Sequence, residues 1–229
     1  MRRNFDDRAR DAARELLGDP VFAERLDRVP FEPGQTVLAL GDSFTDDLQS
    51  WFEILRHLFE RRRASDAVRF VNAGISGYTT AMALRRLVPT IASQPHWIIC
   101  LLGGNDVTRV APDPNKPSVS LDETGRNLAA IRRIAATHTA ARWVWITPPT
   151  FDEARVASFE PFKYGQSDWR NADVVAVGDF IRSQPDVVVD IQSVFGVPAD
   201  PHLQGPDGVH PALSGQQAIA RVLVERLTA

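Results

Sequence analysis

The sequence predicts an α/β sandwich, a parallel sheet with helices on both faces. Three observations lead there. From Thr36 onward, short apolar runs alternate with stretches of helical periodicity. The runs are nearly continuous in apolar character, as strands buried on both faces of a parallel sheet are. The chain has 229 residues, 44% hydrophobic and 24% charged, enough for one sizeable core.

Between Asn4 and Arg28, charges of both signs surround a sparse apolar set: Phe5, Ala9, Ala12, Ala13, Leu16 and Leu17, then Val21, Phe22 and Leu26 after the Gly18-Asp19-Pro20 break. This spacing fits two short helices, each with one apolar face. Two prolines and a glycine between Pro30 and Gly34 stop that appendage and start an extended segment. The chain therefore divides into a helical extension, residues 1–33, and a main domain, residues 34–229. In the domain, Thr36–Leu40, Val68–Asn72, Trp97–Leu102, Trp143–Thr147 and Val187–Ile191 read as strands. Helical spacing falls over Asp47–Arg63, Thr79–Ser93, Leu121–His138, Asp168–Ser183 and Ala212–Leu227. The β-α repetition implies right-handed crossovers. Two connectors are long, Val110–Ser120 with its three prolines and Pro148–Ser167 with Phe151, Phe159, Phe162 and Tyr164. Loops of that length are commonly functional, and surface meander is the alternative.

Composition narrows the function classes. With 26 basic and 29 acidic side chains the formal charge is -3, so no general field draws the chain to nucleic acid or to an anionic bilayer. The longest strongly apolar run, Trp97–Leu102, is far short of the roughly 20 residues of a spanning helix, and the amino-terminal region is charged without an apolar signal segment. The expectation is a soluble, cytoplasmic protein with no membrane span and no nucleic-acid partner. Cys100 is the only cysteine, which excludes an internal disulfide and a cysteine-based zinc cluster. Inside an apolar strand run it reads as a buried thiol rather than a nucleophile.

The first residues with chemistry to offer are Gly41-Asp42-Ser43-Phe44-Thr45, between the first strand and a helix expected near Asp47. A serine there sits at the carboxyl edge of the sheet, where open α/β folds bind ligands, and before amides that favour a developing negative charge. A lone serine in such a place more often caps the helix or fills a turn. Asp207-Gly208-Val209-His210-Pro211, before the last helix, supplies the missing company. A serine hydroxyl needs a base, imidazole titrates near neutrality, and its other nitrogen needs an acceptor such as Asp207. Acyl transfer also needs donors for an oxyanion. Asn105, in Gly103-Gly104-Asn105-Asp106 after the third strand, offers a side-chain amide. The segment Asn72 to Gly77 after the second strand offers a backbone amide, at Gly74 or Gly77. All four blocks fall just past strand ends on one edge.

With these blocks in this order, the sequence resembles the SGNH hydrolases, also called GDSL esterases and lipases. Gly41-Asp42-Ser43 matches the nucleophile block, Gly77 within Ile75-Ser76-Gly77 the glycine block, Gly103-Gly104-Asn105-Asp106 the asparagine block, and Asp207-Gly208-Val209-His210-Pro211 the acid and base block. The resemblance implies a flavodoxin-like three-layer α/β/α sandwich on a five-stranded parallel sheet. It also implies Ser43, Asp207 and His210 as a catalytic triad, and the Ser43 amide, the Gly77 amide and the Asn105 side chain as an oxyanion hole. Gly77 is preferred to Gly74 because it follows Asn-x-x-Ile-Ser, where the family places its glycine. Two departures bear on substrate fit: Tyr78 stands where many relatives carry Asp, and Phe44 replaces the more frequent Leu.

The expected function is a serine esterase acting on a small acyl ester or thioester, with no metal and no cofactor. A carbohydrate O-acetyl esterase is the enzymatic alternative. A non-catalytic binding protein that retains the fold, with the amino-terminal helices and Arg61–Arg63 as contact surfaces, is the alternative of another class. The histidines His57, His96, His138 and His202 show no zinc-type pair spacing. Arg61, Arg62 and Arg63, at a predicted helix end, complement the helix dipole or bind an anion. The aromatics of Pro148–Ser167 and Trp169 either shape a substrate pocket or pack a loop on the sheet. The amino-terminal helices are expected to pack on the domain or across a homo-oligomer contact.

Overall fold

In the computed structural model the apolar runs form one five-stranded parallel sheet. The structure describes residues 2–229, with side chains from Asn4 onward; Met1, the first residue of the 1–33 segment, lies outside the described residues. The strands are β1 (Thr36–Gly41), β2 (Arg69–Gly74), β3 (Trp97–Leu101), β4 (Arg142–Ile146) and β5 (Val187–Val189), in the order β2-β1-β3-β4-β5. The central strands β1 and β3 are buried along their whole length, which is why their sequences are apolar at every position rather than at alternate ones. At the edge, β2 exposes Arg69 and Asn72.

Register places the chemistry. Gly41 lies opposite Gly74 on one side and Leu101 on the other, so β1, β2 and β3 end level with one another. The strand order reverses between β1 and β3, and the loops after them part in opposite directions, opening a crevice at the carboxyl edge.

Helices cover both faces. On one side α3 (Trp51–Arg62) and α7 (Leu213–Leu227) pack together with α1 (Arg2–Leu17) and α2 (Pro20–Asp27). On the other, α4 (Thr80–Thr90), α5 (Leu121–His138) and α6 (Asn171–Arg182) pack in sequence order. Right-handed crossovers from this strand order produce that division. The expected three-layer, flavodoxin-like sandwich is the observed fold. Among the described residues no helix is long and apolar enough to cross a membrane.

Several boundaries differ from the sequence reading. The helix expected over Asp47–Arg63 begins at Trp51, because the Ser50 side chain accepts the Glu53 amide at 3.4 Å and caps it; Ser43–Asp46 is a separate turn. Pairing with β1 carries β2 past Asn72 to Gly74. The connector Pro148–Ser167 contains short helices, Glu153–Ser158 and Glu160–Gly165. Ser167–Asp168 pairs antiparallel with Arg109–Val110, which delays the start of α6 from Asp168 to Asn171. Arg109 ties the ribbon down with two bonds to Asp173, at 2.7 and 2.9 Å, and others to the carbonyls of Pro114 and Asn115.

Two of the three arginines in the run at the end of α3, Arg62 and Arg63, have partners within the chain. Arg62 makes a forked pair with Asp27 at 2.8 and 2.9 Å, and Arg63 donates to the carbonyls of Leu26, Val29 and Phe31. Ala9, Ala12, Ala13, Leu16, Phe22 and Leu26 are buried in the core they share with the domain. The first helix, 16 residues long, is longer than expected.

Candidate active site

At the end of β1, Asp42 rather than Ser43 caps the next turn. Its Oδ1 accepts the Phe44 amide at 3.1 Å, and its carbonyl accepts the amides of Thr45 and Asp46. Ser43 is thus the first residue of a helical turn at the carboxyl end of β1. Asp42 is fully buried, and Oδ2 has no hydrogen-bond partner among the described residues. Burial pushes its carboxyl up to about 7, against the Phe44 amide and the nearby His210, which favour the ionised form.

The base block closes on this hydroxyl from the far end of the chain. His210 Nε2 lies 3.0 Å from Ser43 Oγ, and His210 Nδ1 lies 2.6 Å from Asp207 Oδ2. Asp207 Oδ1 accepts the backbone amides of Val209 and His210, each at 2.9 Å, which fixes the turn that carries both side chains. Gly208 makes the turn feasible with φ +75, and a Cβ there would sit 2.4 Å from the Asp152 carbonyl oxygen. A carboxylate can only accept, so the imidazole proton resides on Nδ1 and Nε2 is the acceptor facing the serine. Burial disfavours the Asp207 charge, but the His210 side chain and the two amides outweigh it and hold the carboxyl below its ordinary range. Burial likewise disfavours the imidazolium, but Asp207, with Asp42 and Asp47, raises His210 above its ordinary value. The Phe44 ring meets His210 edge-on at 5.7 Å.

The other two blocks are sewn to the first. Asp46 Oδ2 accepts the amide and hydroxyl of Ser76 at 3.0 and 2.7 Å, and Asn72 Nδ2 donates to the Thr45 carbonyl at 2.8 Å. These bonds hold the β2 loop against the Ser43 turn. Gly77, at φ +79, has nothing within 4 Å of where a Cβ would stand. The Asn105 side chain donates one N–H to the Tyr78 carbonyl at 3.1 Å, and an amide has a second to give. Buried Asp106 anchors this region: it accepts the Thr80 amide at 2.9 Å, the Thr80 hydroxyl, and the Thr124 hydroxyl at 3.0 Å. Burial pushes its carboxyl up despite these bonds. A cleft of about 560 Å³ opens beside Gly77 and Asn105, lined also by Thr79, Met82, Arg85, Val119 and Trp169.

The model of the GDSL-like lipase/acylhydrolase family matches residues 39–218, a span containing every block just described. The chain belongs to this family. As a GDSL-type enzyme it is a serine hydrolase of ester bonds. Esterase TesA of Pseudomonas aeruginosa is 28% identical over 191 residues, covering 80% of this chain and 82% of that protein. Among solved structures, an α/β hydrolase, LAE5, from the metagenome of Lake Arreo superposes with a TM-score of 0.68 at 21% identity, over 87% of this chain and 97% of that one. Axe2, an acetylxylan esterase from Geobacillus stearothermophilus, gives a TM-score of 0.67 at 22% identity, over 86% of this chain and 96% of that one.

In this GDSL hydrolase the structure brings Ser43, His210 and Asp207 into one hydrogen-bonded line, with Gly77 and Asn105 at one cleft beside it. His202 is exposed, Cys100 is buried with burial raising its thiol, and His57 is held between Asp6 and Glu60 at 2.9 Å from each. Among the described residues no group of three or more His, Cys, Asp or Glu side chains is arranged to hold a metal ion. Sequence reasoning missed three contributors. Thr80 and Thr124 hold Asp106; a threonine on the buried face of α5 was the available signal. Arg155, on the short helix Glu153–Ser158, donates to the carbonyls of Pro201, Gln204 and Gly205 and so buttresses the loop before Asp207. The aromatics divide: Phe151 is core, Phe162 packs on Trp169 with ring centroids 4.5 Å apart and planes tilted by 47°, and Trp169 borders the cleft.

Proposed function

We propose that the chain hydrolyses short acyl esters or thioesters through an acyl-enzyme on Ser43, with His210 as base and Asp207 as its orienting acid. The observation that carries this reading is the line Asp207 Oδ2, His210, Ser43 Oγ, with separations of 2.6 and 3.0 Å. His210 Nε2 takes the hydroxyl proton as Ser43 attacks the carbonyl, and returns it to the leaving group; it then activates water against the acyl-enzyme. Asp207 stabilises the imidazolium in both steps. The oxyanion is received by the Ser43 amide, the Gly77 amide and the second N–H of Asn105. Among the described residues neither amide is donated to a protein acceptor, which leaves both for a ligand.

The apolar members of the cleft, Met82, Val119 and Trp169, favour an acyl chain over a bare acetyl group. The domain division is part of the proposal: residues 34–229 form the catalytic unit and 1–33 a helical brace on α3 and α7, a reading supported by the family match over residues 39–218. The test compares wild type, Ser43→Ala and His210→Ala on 4-nitrophenyl esters of increasing acyl length and on acetylated saccharides. Equal rates in all three proteins would refute the serine mechanism. Preference for acetylated saccharides over every longer acyl ester would make the carbohydrate esterase the right reading, and inactivity on both would favour a binding protein.

A further inference from the structure

Arg85 stands on α4 one turn beyond Ala81, and both line the cleft beside Gly77 and Asn105. Its guanidinium is exposed and has no hydrogen-bond or ion-pair partner among the described residues, whereas the adjacent Arg86 is occupied by the Tyr78 hydroxyl at 3.0 Å. Among the described residues no carboxylate lines the cleft, and Arg85 is the one formal charge there. The carboxylates near the serine lie elsewhere: Asp42 and Asp47 act on His210, and Asp46 is bonded to Ser76. The reaction centre is thus polarised, negative around the imidazole and positive in the cleft.

Chemistry decides which half of an ester meets that charge. His210 must hand its proton to the leaving group, which places the leaving group on the imidazole side. None of Ser43, Asp207 and His210 lines the cleft, whereas two of the proposed oxyanion donors do, so the cleft falls to the acyl substituent. Met82, Val119 and Trp169 suit methylene groups, and Arg85 in the same lining offers a donor fork to an anion. We propose that the preferred acyl group ends in a carboxylate recognised by Arg85, making the substrate a half-ester of a dicarboxylic acid. The proposal rests on the Ser43 esterase reading.

The test measures kcat/KM for two matched pairs: 4-nitrophenyl pentanoate against the half-ester of glutaric acid, and 4-nitrophenyl hexanoate against the half-ester of adipic acid. The half-ester to neutral ester ratio is independent of how much enzyme is active. In wild type at least one ratio should exceed unity. Arg85→Gln should lower it about tenfold, mainly through KM, and Arg85→Lys should restore part of it. A butyrate ester whose phenol carries a sulfonate puts the charge on the leaving group, and its preference should not depend on Arg85. A ratio unchanged in Arg85→Gln, with neutral esters still cleaved in a Ser43-dependent manner, overturns this inference alone. Neutral-ester cleavage that survives Ser43→Ala overturns the esterase reading itself.

Discussion

Asp207→Asn keeps the shape of the side chain and changes what it offers the imidazole. Oδ1 accepts the amides of Val209 and His210, both at 2.9 Å, so the oxygen of the new amide is held in that place. Its NH2 then faces Nδ1, where Oδ2 lay at 2.6 Å. Two donors cannot face each other, so Nδ1 loses its proton to Nε2. That nitrogen, 3.0 Å from Ser43 Oγ, turns from acceptor to donor and can no longer take the hydroxyl proton. Triads that suffer this exchange lose about 10⁴ in kcat, or about 5.4 kcal/mol of barrier. A charge-assisted hydrogen bond accounts for about 1.5–3 kcal/mol of that, and the wrong tautomer for the rest. Initial rates on 4-nitrophenyl butyrate across pH 5 to 9 measure both the loss and its signature. Asp207 holds His210 above its ordinary value, so without the carboxylate the acid limb of the residual activity should move to lower pH. A loss below about tenfold, or an acid limb that stays in place or moves up, would refute the tautomer mechanism.

Asn105→Ala should lower kcat by about 100- to 1000-fold with a smaller change in KM, and steady-state kinetics in which only KM moves would count against an oxyanion role. Gly208→Ala forces a side chain into φ +75 with its Cβ 2.4 Å from a carbonyl oxygen, and should cost about 2–4 kcal/mol, or roughly 5–10 °C in a thermal melt; an unchanged Tm refutes it. Stability should also respond to pH through the Asp207–His210 couple. Asp207 is lowered on folding, so its contribution is present above its ordinary 3.8 and lost as pH falls through the folded value. His210 is raised, so its contribution is present below its ordinary 6.5 and lost as pH rises through the folded value. Denaturant melts of wild type and His210→Gln should therefore differ most between those limits, and a difference independent of pH would exclude the couple as its source.

Where a feature was local, the sequence showed it. Leu121–His138 is a helix over the expected residues because Ser120 caps it and Asp122 and Glu123 suit its first turn. The pairing of Asp207 with His210 spans three residues and could be read directly. Where a feature depended on a partner distant in the chain, periodicity could not reach it. Arg62 and Arg63 looked like a dipole-complementing helix end, but their partners lie 32 to 37 residues earlier. The two-residue ribbon between Arg109–Val110 and Ser167–Asp168 is too short to show a period. Arg155 acts through carbonyls 46 to 50 residues away, which carry no side-chain signature.

The contact between Ser43 and His210 joins residues 167 positions apart, and α7, which follows His210, is clasped by α1 and α2 from the opposite end of the chain: Gln217 bonds to Ala12 and Glu15, and Arg221 to Asp19. During synthesis the proposed nucleophile is therefore exposed long before its base exists. The amino-terminal helices meet α3 early, through Asp6 and Asp27, but wait through most of elongation for α7. Under the proposed mechanism no chain that stops short of His210 can cleave an ester, so the onset of hydrolysis during translation or refolding marks the moment at which the Ser43 turn and the His210 loop have met.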